Sequence, residues 1–292
     1  MKLAIHSDLN MNFPLLLAAE VERNVLTALA EDIGGGDLTA LLGTAGHNAS
    51  GSVQCRESAV LCGMAWFESA FRHLDPGSRI VWSARDGERI AAGDTICEIA
   101  ADTRALLTAE RTALNFLQLL SGTATATRRY VDAVAGTLAR IVDTRKTLPG
   151  LRLAQKYAVR CGGGLNHRLG LYDGILIKEN HIMAAGGVTA ALERARLLIH
   201  GDVFIQIEVE TIEQLAEALD AGATMILLDN MDLEQMRQAV GLTAGHAQLE
   251  ASGGVSLETV RAIAETGVDR ISVGSLTKNV RAIDLSLRHS EG

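Results

Sequence analysis

DTRKTLPGLRLAQKYAVRCGGGLNHRLGLYDGILIK, residues 143–178, carries seven basic and two acidic residues and so a net charge of +5, in a chain whose formal charge is -8. The remainder therefore carries -13. A local cationic pocket on an acidic protein raises the occupancy and on-rate of a small multiply charged anion. Helix-surface charge accounts for Arg152, Lys156 and Arg160. It fits Arg145, Lys146 and Lys178 poorly, because these directly follow the apolar β-like runs 139–142 and 174–177.

Working outward, residues 139 to 273 alternate six short apolar runs with amphipathic segments. The runs are 139–142, 174–177, 203–209, 224–228, 247–251 and 270–273; helices are expected near 149–161, 189–199, 212–221, 232–240 and 256–266. Thr211-x-x-Gln214 has the capping-box pattern, and Gly222 and Gly267 stand where helices end. Repeated strand–helix–strand units imply a parallel sheet. The spacing predicts an incomplete α/β barrel of the TIM type, with an open doubly wound sheet as the rival; no G-x-G-x-x-G follows the first strand.

The preceding residues read as a separate α/β unit. A helix is expected over 14–33, stopped by Gly34-Gly35-Gly36, which follow a helix rather than a strand and so read as a cap and turn, not a phosphate loop. Strands are expected at 52–57, 59–62, 79–84 and 95–101, with a helix at 64–74. The segment 86–102 resembles a carrier-domain hairpin but has no lysine at its tip, and reads as scaffold. Residues 107–135 are helical in tendency, with Leu107, Leu114, Leu117 and Leu120 as a stripe and a break expected at Ser121-Gly122-Thr123. The division that follows is 1–118 as an N-terminal α/β sandwich domain and 119–276 as the barrel, with 277–292 packing back on the first domain.

Composition narrows the function classes. Aromatic content is 3%, too low for a base-stacking platform, and a pI near 5.5 argues against nucleic-acid binding. No apolar run approaches the ~18 residues of a membrane span, and the first residues lack a signal-peptide apolar region, so a cytoplasmic location is expected. The four cysteines have no C-x-x-C spacing, which argues against a structural zinc site and for free thiols. Histidines 6, 47, 73, 200, 246 and 289 have no motif around them and read as structural or surface.

In a parallel barrel the residues just after each strand converge on one rim, where active sites form. Here they are Thr144-Arg145-Lys146, Lys178, Glu208, Asp229, Ser252-Gly253-Gly254 and Val273-Gly274-Ser275. The glycine turns can cradle a phosphate monoester, and helix N-termini are expected behind them. Glu208 and Asp229 can hold Mg²⁺ or ribose hydroxyls. Arg145, Arg168 and Lys178 remain for carboxylates, each charge-assisted hydrogen bond contributing about 1.5–3 kcal/mol. Together these groups suit transfer of a phosphoribosyl unit to an anionic acceptor.

At this point the motifs resemble a family. DTRKT at 143–147, GGGLNHR at 162–168, DGILIKENH at 173–181, IEVE at 207–210, LLDN at 227–230 and EASGGV at 250–255 are similar to those of the carboxylating nicotinate-nucleotide pyrophosphorylases, the quinolinate phosphoribosyltransferases; EDIGGGDLT at 31–39 and ERTALNFLQ at 110–118 look like that family's N-terminal motifs. The resemblance implies conversion of quinolinate and phosphoribosyl pyrophosphate to nicotinate mononucleotide, pyrophosphate and CO₂, in NAD synthesis, with Mg²⁺. It implies a homodimer or higher even oligomer with a shared site, in which Arg111 reaches the partner's quinolinate. Arg145, His167, Arg168 and Lys178 would line the quinolinate pocket; Lys146, Glu208 and Asp229 would face the phosphoribosyl pyrophosphate. Three other readings stay open on the residues alone: a paralogue acting on nicotinate without CO₂ release, a Schiff-base aldolase using Lys178, and a noncatalytic sensor of a phosphorylated metabolite.

Overall fold

The computed structural model describes residues 9–42, 46–199 and 203–290. His6, His200 and the first eight residues, on which part of the localisation reading rests, lie outside them. Contacts divide the chain into two units. One comprises Met1–Arg128, Thr147–Gly163 and Thr277–Gly292; the other comprises Arg129–Lys146 and Gly164–Leu276.

In chain order the first unit begins with α1 (Leu9–Ile33), β1 (Asn48–Cys55), β2 (Ala59–Val60), α2 (Met64–Leu74), β3 (Arg79–Trp82), β4 (Arg89–Ile90), β5 (Thr95–Asp102) and α3 (Thr103–Ala133). Then come β6 (Arg140–Val142), α4 (Arg152–Cys161), β7 (Gly174–Ile177), α5 (Glu179–Ala185), α6 (Val188–Leu198), β8 (Phe204–Val209), α7 (Ile212–Asp220) and β9 (Met225–Asp229). The chain ends with α8 (Leu233–Thr243), β10 (Gln248–Ser252), α9 (Val260–Ala264), β11 (Arg270–Ser272), α10 (Ser275–Lys278) and β12 (Leu285–Ser290).

The first unit is built on an antiparallel sheet ordered β12-β1-β5-β3. Strand side chains alternate between faces. Gly51 and Val53 on β1, paired in register with Ile99 and Cys97 on β5, and Cys55 face a core that also holds Val25, Trp66, Phe67, Phe71, Leu114 and Leu117. Ser50, Ser52, Arg79 and Glu98 occupy the other face. The C-terminal strand β12 supplies the outer edge by pairing with β1 from Ser50↔Ser290 to Cys55↔Leu285. The triple glycine is the expected cap and turn: Gly34 N–H donates to Ala30, and Gly34 and Gly36 have φ of 52° and 140°.

Three expectations about this unit change. The 103–133 helix is continuous, so neither a break at 121–123 nor a boundary at 118/119 falls at a gap between elements. Gly122 serves a close approach, since a methyl there would collide with the Arg281 carbonyl. Leu107 is exposed while Leu106 is buried, because the buried stripe runs Leu106, Ala109, Ala113, Leu117, Leu120. Lys156 is not surface charge: it is 0% exposed and makes polar interactions within the protein, as a buried ammonium must. The helix that carries it, α4, belongs with the first unit, where Ala154 and Ala158 join the core.

The second unit is a six-stranded parallel sheet ordered β6-β11-β10-β9-β8-β7. The order is sequential from β7 to β11, and the first strand lies beside the last. That is the winding of a barrel, not the reversal of a doubly wound sheet. Closure is incomplete between β6 and β7, where Leu165 adds one parallel bridge to Val142. All six strands fall within one or two residues of their expected positions. The extra helix α5 follows β7 directly, and α9 starts at Val260, not 256, so no helix N-terminus stands immediately behind Gly253-Gly254. Among the described residues no helix is long and apolar enough to cross a membrane.

Candidate active site

Register decides which strand residues face the barrel interior. Paired residues in parallel strands share a face, and i, i+2 positions follow them. Glu208 pairs with Leu227, Leu227 with Glu250, Glu250 with Arg270, and Asp229 with Ser252. Glu208, Asp229 and Ser252 therefore stand on the interior face at the C-terminal ends of adjacent strands. Ile207 and Val209, one step off, are fully buried apolar side chains on the opposite face.

The rim carries opposed charges. Lys178 Nζ donates to Glu208 Oε2 at 2.7 Å. That ion pair engages the Lys178 ammonium and leaves no free amine there for a carbonyl, which counts against the aldolase reading. Burial raises the Asp229 carboxyl above its usual range, with neighbouring Glu208 adding to the shift; Lys178, a hydrogen bond from Asn230 and Lys146 oppose it. Asn230 holds this arrangement at φ 54°, donating to Asp229 Oδ2 at 2.9 Å while its own N–H donates to the Ser252 carbonyl. Gly253 follows at φ 101°, and any larger residue there would strike the Asn230 side chain. Lys146 is exposed and lies along Gly274, where a methyl would come 3.3 Å from its Cδ. Thr144 Oγ1 accepts from Lys146 N–H at 3.1 Å and so sets the backbone that aims it. Val273 is buried and its N–H donates to the Val142 carbonyl, so it shapes the turn without offering that N–H to a ligand. Ser275 Oγ lies 3.5 Å from Tyr130 Oη.

The glycine-rich segment after α4 forms the floor. Asp143, completely buried after β6, accepts from Asn166 Nδ2 at 2.6 Å and from His167 N–H at 2.9 Å, which anchors the loop. His167 is 8% exposed, and Nδ1 accepts from Arg168 N–H at 2.7 Å. Its proton therefore sits on Nε2, which donates to Gln206 Oε1 at 2.6 Å. Gln206 Nε2 continues to Glu250 Oε2 at 3.2 Å, and Glu250 also takes Arg270 Nε at 2.9 Å and the Ser272 hydroxyl. Burial would push the Glu250 carboxyl up, but Arg270 and the hydrogen bonds from Ser272 and Gln206 outweigh it and hold it below its usual range. Arg168 Nη1 donates to the Gly174 carbonyl at 2.9 Å. Its guanidinium is held below its ordinary range by burial and then by the nearby Arg145, with Asp173 opposing. Two guanidiniums close enough to repel make a place for negative charge.

The structure thus gathers Thr144, Arg145, Lys146, His167, Arg168, Lys178, Glu208, Asp229, Ser252, Gly253, Gly254, Val273, Gly274 and Ser275 in the second unit, at or below the strand ends. Arg111 is exposed on α3 in the first unit. The sequence reading missed Asp143 as the loop anchor, and Gln206, Glu250, Arg270 and Ser272 as the buried chain behind His167. The available signal was polar residues at interior positions of apolar strands, Gln206 two before Glu208 and Glu250 two before Ser252.

Family models match both parts of the chain: the quinolinate phosphoribosyl transferase N-terminal domain over residues 37–121 and its C-terminal domain over 123–288. A probable nicotinate-nucleotide pyrophosphorylase (carboxylating) of Bacillus subtilis is 42% identical over 257 residues, covering 88% of this chain and 89% of that protein. The enzyme of that name from Mycobacterium leprae is 45% identical over 251 residues, covering 83% and 87%. The solved structure of the nicotinate-nucleotide pyrophosphorylase from Francisella tularensis superposes with a TM-score of 0.91 at 44% identity, covering 94% of this chain and 97% of that one.

Proposed function

The chain belongs to the quinolinate phosphoribosyltransferase family, and we infer that it carries out the carboxylating nicotinate-nucleotide pyrophosphorylase reaction. It transfers the phosphoribosyl group of phosphoribosyl pyrophosphate to quinolinate and releases pyrophosphate and CO₂, leaving nicotinate mononucleotide for NAD synthesis.

The observation that carries the acceptor's identity is the Arg145–Arg168 pair. Two guanidiniums set against each other suit a dicarboxylate better than a monocarboxylate such as nicotinate. Arg145, Arg168 and Lys178 hold the two carboxylates, and the His167 ring, fixed by Arg168 N–H and Gln206, positions the loop between them. The pyridine nitrogen forms its bond to the anomeric carbon as the bond to pyrophosphate breaks. Positive charge growing on the ribose ring faces Glu208 and Asp229, and Lys146 meets the charge growing on the leaving oxygens. The electron pair freed when the adjacent carbon–carboxylate bond breaks stays on that ring carbon, stabilised by the positive charge of the neighbouring quaternary nitrogen, until the carbon takes a proton. The turns at Ser252-Gly253-Gly254 and Val273-Gly274-Ser275 receive the 5′-phosphate.

Glu208 and Asp229 fit Mg²⁺ in chemistry: both are oxygen donors, on adjacent strands, and Asp229 is raised in part by Glu208, a repulsion that a divalent cation would offset. Mg²⁺ bound there supplies neutralisation of the pyrophosphate leaving group. The working form is a homodimer or higher even oligomer in which Arg111 completes a partner's quinolinate pocket. The location is cytoplasmic, supported by four free thiols.

The test follows pyrophosphate and CO₂ together, with phosphoribosyl pyrophosphate and Mg²⁺, offering quinolinate and nicotinate separately. Equal yields from quinolinate and none from nicotinate are expected. Pyrophosphate without CO₂, or turnover of nicotinate alone, would move the acceptor and overturn the assignment.

A further inference from the structure

Cys62, Asp86 and Cys161 come from three separate segments of the first unit: the turn after β2, the turn before β4, and the last position of α4. One ligand atom from each lies within 4.8 Å of the other two. Cys62 is fully buried, while Asp86 and Cys161 are half-buried, which leaves a route in from solvent.

The carboxylate is held on both oxygens. Asp86 Oδ1 accepts from Gly63 N–H at 3.0 Å and Met64 N–H at 3.3 Å, and Oδ2 accepts from Tyr157 Oη at 2.7 Å. Satisfying the α2 N-terminus explains the carboxylate; it does not explain two thiols converging on it. Gly87, at φ 91°, keeps the Asp86 turn against the end of α4, where a methyl would come 3.3 Å from the Cys161 carbonyl. Bond lengths of about 2.3 Å to sulfur and about 2.0–2.2 Å to oxygen place two sulfurs and one oxygen on a tetrahedral ion roughly 3.5–3.8 Å apart. The present separations, all within 4.8 Å, would have to shorten to that size on binding.

We propose that Cys62, Asp86 and Cys161 form a binding site for a borderline-soft divalent cation of the zinc type, with a fourth position open to water. Thiolates select such an ion over Mg²⁺, whose oxygen-only donors lie at the strand ends of the second unit. Both cysteine thiols lose their protons to solvent as the two metal–sulfur bonds form, so one dication replaces two protons. Burial raises the Cys62 thiol, with the Cys161 contact next, and raises the Asp86 carboxyl, so negative charge on these groups is disfavoured unless a cation accompanies it. Tyr157 acts as the outer partner that orients the ligating carboxylate.

The test is titration of the reduced full-length protein with Co²⁺ alone, read by the near-ultraviolet thiolate-to-cobalt band, followed by displacement with Zn²⁺. One equivalent is expected. Cys161→Ser should abolish the band, and Tyr157→Phe should keep the stoichiometry but weaken affinity by about 10–100-fold. Should Cys161→Ser fail to fold, Asp86→Asn, which keeps an oxygen for the α2 N–H groups, serves instead and should lower affinity at least as much as Tyr157→Phe. No band, or a band unchanged in these variants and therefore owed to Cys55 or Cys97, overturns the site. So does a mass two hydrogens light in the protein before reduction, with Cys62 bonded to Cys161.

Discussion

Lys146 and Lys178 carry the same charge at the same rim in different surroundings. Lys178 is committed to Glu208, whereas Lys146 is exposed, lies along Gly274 and contributes its charge towards Asp229. The proposed role of Lys146 against the leaving group predicts that Lys146→Ala lowers kcat by about 10²–10³-fold, the scale for removing one preorganised electrostatic contact. Quinolinate affinity, measured calorimetrically without phosphoribosyl pyrophosphate, should change by less than about threefold, since that contact is made mainly in the transition state. Equal losses in kcat and affinity would remove Lys146 from that role.

Glu250 lies beneath the site and has a different signature. Glu250→Gln leaves the Arg270 guanidinium, only 14% exposed, without its counter-charge, and should cost about 3–5 kcal/mol in urea unfolding at pH 7. The folded-state carboxyl is held low, so its stabilisation is fully present above the unfolded value of about 4.3 and is lost as pH falls through the folded one. The gap between wild type and variant should therefore narrow below about pH 4.3; a gap that widens there would contradict the ion-pair account.

At the scale of elements, α3 separates propensity from packing. Alanine is favoured over glycine inside a helix by about 1 kcal/mol, so propensity alone predicts that Gly122→Ala stabilises. The Arg281 carbonyl at that point predicts the opposite, a loss of about 1–3 kcal/mol in thermal or urea unfolding, because backbone does not yield cheaply. A raised Tm would show that the segment around 281 moves aside. The same contact explains why a Ser-Gly-Thr break was read where the helix runs through: the local sequence shows a poor helix former but not the chain 159 residues later that requires it. Lys156 departs from the expected surface position for a similar reason. Helical spacing shows which positions share a face, but α4 buries Ala154, Gln155, Lys156, Ala158 and Val159, a wider face than its apolar residues mark.

At the scale of the whole molecule, the proposed shared site makes a prediction that no single chain can meet. Arg111→Ala and Lys146→Ala should each be nearly inactive alone. After mixing and subunit exchange, random pairing of twofold dimers should restore about a quarter of wild-type activity, because half the dimers are mixed and each has one intact site. No recovery, with exchange confirmed by mass, would place Arg111 outside a partner's pocket.

The repeating strand–helix grammar, the six strands, the rim residues after them and the family are legible along the chain, because strand period, turn residues and contiguous motifs are properties of neighbours in sequence. The sequence leaves undecided what those rim residues touch. It is the folded chain that winds β6 beside β11 and stops short of closure. Only it paired Lys178 with Glu208, linked His167 through Gln206 to Glu250, and drew Cys62, Asp86 and Cys161 together. Each of these joins residues at least 24 positions apart, and nothing in the local pattern of a strand or helix encodes which distant side chain shares its low-dielectric surroundings.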